Sequence, residues 1–204
     1  MLNSIEEIIE DAKLGKPFII ADDESRENEG DIIVPAQFIN VEIIRLMMIH
    51  ARGLICVAID QFIADKFDLK LHPRRNINNF ETAFTYSIDS KNGISTGMSA
   101  TDKVNTISKL VDPNSTINDF KVPGHVYPVI AKKNGVLERR GHTEAAIDIS
   151  KLANLKSAMV ICEIINDDGT MARKGDLLEF ANVHSMKISS VEKLVHYIKG
   201  IKRN

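Results

Sequence analysis

The chain contains two cysteines in 204 residues, Cys56 and Cys162, each inside an apolar run and far apart in sequence. They make no disulfide framework, and no CxxC pair is present to hold zinc. Long apolar stretches are missing as well. The longest, such as 54–59 and 159–165, fall well short of the roughly 20 residues a membrane-spanning helix needs. Neither sign of charge dominates: 26 Lys and Arg against 28 Asp and Glu give a formal net charge of −2. No basic field is there to hold nucleic acid. The N-terminal MLNSIEEIIEDAKLGK is acidic and amphipathic, without a basic n-region or a cleavage site, so no signal peptide is expected. These absences predict a cytoplasmic protein with neither a nucleic-acid nor a membrane partner.

Several catalytic signatures are also lacking. GISTGMSATDK has no Gly-Lys-Ser/Thr of a P-loop, no GxGxxG follows a strand, and no GxSxG elbow occurs. Nucleoside-triphosphate and hydride chemistry therefore have no motif support. What remains is an ordinary globular composition, 44% hydrophobic and 26% charged, in a chain long enough to bury a sizeable core. No repeat or low-complexity linker divides it, which favours one domain.

Periodicity supplies the elements. Ile5, Ile8, Ile9 and Ala12 fall at helical spacing, and Gly15 ends that helix before Pro17. Residues 18–21 and 32–34 read as short strands on either side of an acidic segment, the second stopped by Pro35. Asn40 can cap a helix running through Arg52. Residues 54–59, 84–88, 127–132 and 157–165 are strand-like. Helices are expected from about Asp102, over 143–153, over 176–185 and over 191–199. Ser99 and Asp102 have the spacing of a capping box. Strands and helices mix without strict alternation, so the expected class is α/β or α+β with a mixed sheet flanked by helices.

Three features could carry chemistry. DDESRENEGD gathers Asp22, Asp23, Glu24, Glu27, Glu29 and Asp31 around Arg26. Carboxylates this close repel unless they are solvated, paired or holding a cation. A solvated turn and a ligand loop both fit that composition. Glu163 is the second feature. Alternation in residues 159–165 sets it on the face of Ile161 and Ile165, where a carboxylate must be paired, carry a raised pKa, or lie on an edge strand open to water. Histidines are the third. His142 follows Arg139, Arg140 and Gly141 at a helix start, where the two arginines, the helix N-terminus and the Thr143 hydroxyl would form an anion site, most simply for phosphate. His142 itself could ligate a metal or transfer a proton. His125 stands between a proline turn and a strand. Each is alternatively a structural histidine.

Together the blocks DDESRENEGDIIVPAQ, HARGLICVAI, TAFTYSIDSKNGISTGMSATDKVNTI, PGHVYPVIAKKNGVLERRGHTEAAIDISKLA and VICEIINDDGTMARKGDLLEFANVHSMKISSVEKLVHY resemble 3,4-dihydroxy-2-butanone 4-phosphate synthases of riboflavin biosynthesis. They run in order over nearly the whole chain. RENEGD and GHTEA are specific, since no propensity or turn rule demands them.

The resemblance implies conversion of D-ribulose 5-phosphate to L-3,4-dihydroxy-2-butanone 4-phosphate and formate, with Mg²⁺ or Mn²⁺ and no organic cofactor. It also implies that Glu27 and His142 are metal ligands. Arg26, Glu27, Asp31, Arg139, Arg140, Gly141, His142, Thr143 and Glu163 would contact substrate, and His125 and Glu163 would be catalytic. A homodimer whose site is completed across the interface is implied as well. Lys103 and Arg140 depart from the family pattern, where arginine and glycine respectively are expected. Residues 1–204 are expected to form a single synthase domain without the GTP cyclohydrolase II domain of some relatives, because two cysteines could not supply its zinc site. The same residue types would also suit another metal-dependent sugar-phosphate enzyme, or a binding module whose acidic loop only contacts a partner.

Overall fold

The computed structural model describes residues 2–73 and 82–201. Helix α1 (Ile5–Lys13) starts at a reciprocal box in which Ser4 Oγ accepts the Glu7 N–H at 3.2 Å and the Glu7 carboxylate accepts the Ser4 N–H at 2.9 Å. Such a cap contributes about 1 kcal/mol. Strands β1 (Phe18–Ala21) and β2 (Gly30–Pro35) then form an antiparallel pair whose connecting loop is the acidic segment. Helix α2 (Val41–Leu46) is capped by the Asn40 side chain, as expected, but it is shorter than the periodicity suggests. The chain widens into a π turn over Met47–Ala51 and stops at Arg52, whose φ of 66° is left-handed.

Strand β3 (Cys56–Ile59), helix α3 (Gln61–Lys66), strand β4 (Ile88–Ser90) and helix α4 (Ala100–Val111) follow. The remaining elements are β5 (Phe120–Ile130), α5 (His142–Leu152), β6 (Ala158–Glu163), α6 (Lys174–Val183), β7 (Lys187–Ser190) and α7 (Val191–Ile201). The sheet order is β4-β5-β3-β6-β2-β1-β7. The β3–β5 and β1–β7 pairs are parallel and the others antiparallel, so the sheet is mixed, as the sequence implies.

Both faces of the sheet are covered. Val57, Val160 and Cys162 meet Ile44, Ile63 and Ile107 on one side, while Ile33, Met159 and Ile161 meet Ile8, Ile149 and Leu194 on the other. Each fully buried Ile or Leu contributes roughly 1.5–3 kcal/mol, which makes the two apolar layers the main stabilising term. The faces of β6 divide as alternation predicts. Its neighbours on both sides, β3 and β2, exclude the edge-strand reading of Glu163. Among the described residues no helix is long and apolar enough to cross a membrane.

Three expectations are corrected. Strand β5 begins at Phe120 and contains Pro123, where a loop was expected; residues 122–125 bulge between the paired Lys121 and Val126, so the proline interrupts no ladder hydrogen bond. The strand expected over 84–88 is reduced to bridges at Phe84 and Thr85, with the ladder starting at Ile88. At α4, Ser99 caps the Asp102 N–H, but the Asp102 carboxylate turns outward to Ser95 and Gly97 and does not close the box.

Candidate active and metal site

The β2–β6 register places Asp31 directly opposite Glu163 at one end of the sheet. Both lie on the face covered by α5, whose first residue is His142, and the β1–β2 loop folds over the same end. A hollow of about 280 Å³ results. Its walls include Arg26, Glu27, Asp31, Arg139, His142, Thr143 and Glu163, together with Glu29 and Cys56. Seven expected site residues from separate sequence blocks thereby meet in one cavity.

Asp22 organises the acidic loop. Its carboxylate accepts the Glu27 N–H at 3.2 Å, the Glu29 N–H at 2.8 Å and a guanidinium N–H of Arg26 at 2.6 Å. From outside, Arg173 donates to the carbonyls of Glu27 and Asn28. The composition shows Asp22 as one acid among six. Only the structure shows it as the template of the loop, and Arg173 gives no sequence signal at all.

The Glu27 carboxylate, which is 47% exposed, is gripped by both arms of the Arg26 guanidinium at 2.6 and 2.9 Å. Ligand atoms of Asp22, Glu27 and His142 lie within 4.8 Å of one another. His142 is 7% exposed, and its Nε2 is buried without a hydrogen-bond partner among the described residues. An orphaned buried ring nitrogen next to carboxylates is the donor set of a divalent cation that accepts both oxygen and imidazole, such as Mg²⁺ or, more comfortably, Mn²⁺. Burial lowers the His142 pKa, an effect assisted by Arg26 and opposed by Asp22, Glu27 and Glu29. The neutral ring that a metal requires is thus favoured.

Asp31 is 3% exposed and shares the orphan condition at Oδ1, which stands 3.5 Å from His142 Nδ1. Burial raises its pKa well above the ordinary value, and the charges of Glu163, Glu29, Glu27 and Asp22 add to the effect. Glu29 is raised for the same reasons, burial first. Glu163 is half-buried and takes the pairing alternative, since its Oε2 accepts the Leu54 N–H at 2.8 Å. Cys56 lines the hollow as a thiol, because burial and the nearby carboxylates push its pKa up.

Thr143 and Arg139 stand at the start of α5, where Gly141 offers no side-chain cap to the first-turn N–H groups. Arg139 reaches past Gly141 to the Glu144 carboxylate at 2.6 Å and to Thr82 Oγ1 at 2.9 Å. A Cβ on Gly141 would fall 2.1 Å from the Arg139 guanidinium, so any larger residue there must displace the Arg139 side chain. Two expected site residues lie elsewhere. Arg140 is exposed and outside the hollow, although its charge still lowers the Asp23 pKa behind the Ser25 hydrogen bonds. His125, with its side chain 44% exposed, is also absent from the walls; its ring is bound to Asp89.

The mixed sheet thus ends in a carboxylate-rich hollow beside an uncapped helix N-terminus, the class of arrangement whose residue types can hold a divalent cation and an anionic group. Comparison with known proteins is more specific. A family profile described as 3,4-dihydroxy-2-butanone 4-phosphate synthase matches residues 6–197. The chain belongs to that family. It is similar to the 3,4-dihydroxy-2-butanone 4-phosphate synthase of Campylobacter jejuni, 48% identical over 194 residues, covering 95% of this chain and 57% of that protein. It is also similar to the riboflavin biosynthesis protein RibBA of Bacillus mycoides, 49% identical over 197 residues, covering 97% and 49% respectively. The chain thus spans about half the length of these curated relatives. A crystal structure of 3,4-dihydroxy-2-butanone 4-phosphate synthase in complex with two magnesium ions superposes with a TM-score of 0.94 at 31% identity, covering 98% of this chain and 99% of that one.

Proposed function

We propose that the chain is a divalent-metal-dependent lyase that converts D-ribulose 5-phosphate to L-3,4-dihydroxy-2-butanone 4-phosphate and formate, the step supplying the four-carbon unit of riboflavin. The observation that carries this reading is the orphaned His142 Nε2 beside Glu27, in one hollow with Asp31, Glu163, Arg139 and Thr143. Glu27 and His142 would hold the cation, Mg²⁺ or Mn²⁺, which supplies Lewis-acid stabilisation of negative charge on substrate oxygens. No organic cofactor is needed, because the net reaction is redox-balanced: a five-carbon sugar phosphate divides into a four-carbon phosphate and formic acid.

The chain's own groups do the rest. The α5 N-terminus with Thr143 and Arg139 binds the phosphate. Arg26 and Asp31 hold the sugar hydroxyls. Glu163, held by the Leu54 N–H, and His125 share the transfer of protons from the carbon next to the carbonyl and to the departing hydroxyl on the first carbon. Because His125 lies outside its own chain's hollow, we place its action across the interface of a homodimer. Two buried free thiols fit a cytoplasmic setting. The synthase activity is assigned to the single sheet domain described here.

Substrate labelled with ¹³C at the fourth carbon tests the reading. Labelled formate and an unlabelled four-carbon product are expected with Mg²⁺, and neither with EDTA. Label retained in a five-carbon sugar would make the protein an isomerase.

A further inference from the structure

Asp89, in β4, is 5% exposed and is an acid to which neither the metal site nor the sequence motifs give a part. Its two carboxylate oxygens are spent on one residue. Oδ1 accepts the His125 backbone N–H at 2.9 Å, and Oδ2 lies 2.7 Å from His125 Nδ1. A third hold comes from Lys103, whose ammonium donates to the His125 carbonyl at 2.7 Å. Both anchors are built in. Gly97, at φ 90°, lies so close to the Asp89 carboxylate that a Cβ would stand 2.2 Å from Oδ2, and a Cβ on Gly124 would stand 2.1 Å from the Ile88 carbonyl carbon. Asp102 in turn fixes the Gly97 turn through the Ser95 and Gly97 N–H groups. Lys103 is 6% exposed, and its ammonium is committed to the His125 carbonyl.

We infer that Asp89 is the positioning residue of His125. It locks the ring as the tautomer with hydrogen on Nδ1 and presents Nε2 for proton transfer, while Lys103 pins the bulge that carries the ring. The inference rests on the proposed catalytic part of His125. A carboxylate can only accept here, so the proton of the neutral ring must sit on Nδ1. Two bonds from one carboxylate, to the main chain and to the ring of the same residue, fix both where the bulge lies and how the imidazole is turned. This matters because the ring is 44% exposed and so only partly enclosed by its neighbours.

The test compares Asp89→Asn, His125→Ala and the double variant, with wild type as reference. An amide in place of the carboxylate donates to Nδ1 and moves the ring proton to Nε2. In Asp89→Asn, kcat should fall at least about tenfold with KM nearly unchanged. In the His125→Ala background the same change should cost less than about twofold, because Asp89 acts only through the ring. Nitrogen-15 shifts of His125 should place the proton on Nδ1 in the wild-type protein, a measurement that needs no variant to fold. A wild-type proton on Nε2, an undiminished kcat in Asp89→Asn, or an equal loss in both backgrounds would overturn the inference. If His125→Ala loses activity while Asp89→Asn keeps the wild-type kcat, only this inference fails. If His125→Ala turns over normally, the catalytic reading of His125 fails with it.

Discussion

Asp31 is a buried carboxyl that faces Glu163 across the ladder, with one oxygen that finds no hydrogen-bond partner among the described residues. Its folded pKa lies above its ordinary 3.8, so between those two values the folded chain holds more protons than the unfolded one. Stability therefore declines as pH rises through that window and levels off above it. Asn cannot ionise and escapes the decline. With EDTA present, Asp31→Asn should melt above wild type, by a margin that widens from pH 4 to pH 8; about 1 kcal/mol corresponds to roughly 2–4 °C at this size. A margin independent of pH would show that the Asp31 pKa is not raised. The sequence made part of this legible. Alternation is a local property and correctly set Glu163 on an apolar face. Which carboxyl stands opposite is decided by strand register, and register joins segments 132 positions apart that no local pattern couples.

At the scale of elements, the strands with apolar alternation and the capped helices could be read directly, since caps and periodicity lie within a few residues. Strand β7 and the short helix α3 could not. The sequence KISS has little apolar character and is a strand because β1 pairs with it and Asn3 accepts its Ile188 N–H. The hinge between the π turn and β3 was equally silent, and it is the backing of the site. Gly53 lies against the end of β6, where a Cβ would stand 2.3 Å from the Glu163 carbonyl and 2.7 Å from its carboxylate. Gly53→Ala must therefore push β3 and β6 apart where Leu54 holds Glu163. The expected cost is about 1–3 kcal/mol in stability, as for other overpacked sites, with a disproportionate fall in kcat as the carboxylate leaves its place. Thermal melts and steady-state kinetics on one preparation check this. A variant that lost stability but kept kcat would show that the position of Glu163 is not set by the hinge.

At the scale of the whole molecule, His125 and the hollow it should serve do not meet within one chain. The bulge that carries His125 is open, with Val122 58% exposed, and beside it lies an apolar depression of about 700 Å³ whose walls include Leu54, Tyr86, Val122 and Tyr127. An exposed apolar surface next to a displaced histidine is what a two-fold contact would leave on each separated partner. If each hollow borrows His125 from the other subunit, two defective proteins can repair one another. Glu27→Gln keeps the shape of the metal ligand but not its charge, and His125→Ala removes the ring; each alone should keep no more than a trace of wild-type activity. Unfolded together in equal amounts and refolded, they form mixed dimers as half of the population. In each mixed dimer one site combines an intact Glu27 with an intact His125, and the other site takes both lesions. Activity should therefore return to about a quarter of wild type, because one site in four is whole. Sedimentation of the refolded mixture should give the mass of two chains. Recovery no greater than the sum of the two variants, from a dimer of that mass, would place His125 at its own chain's site. A single-chain mass would remove the shared site altogether.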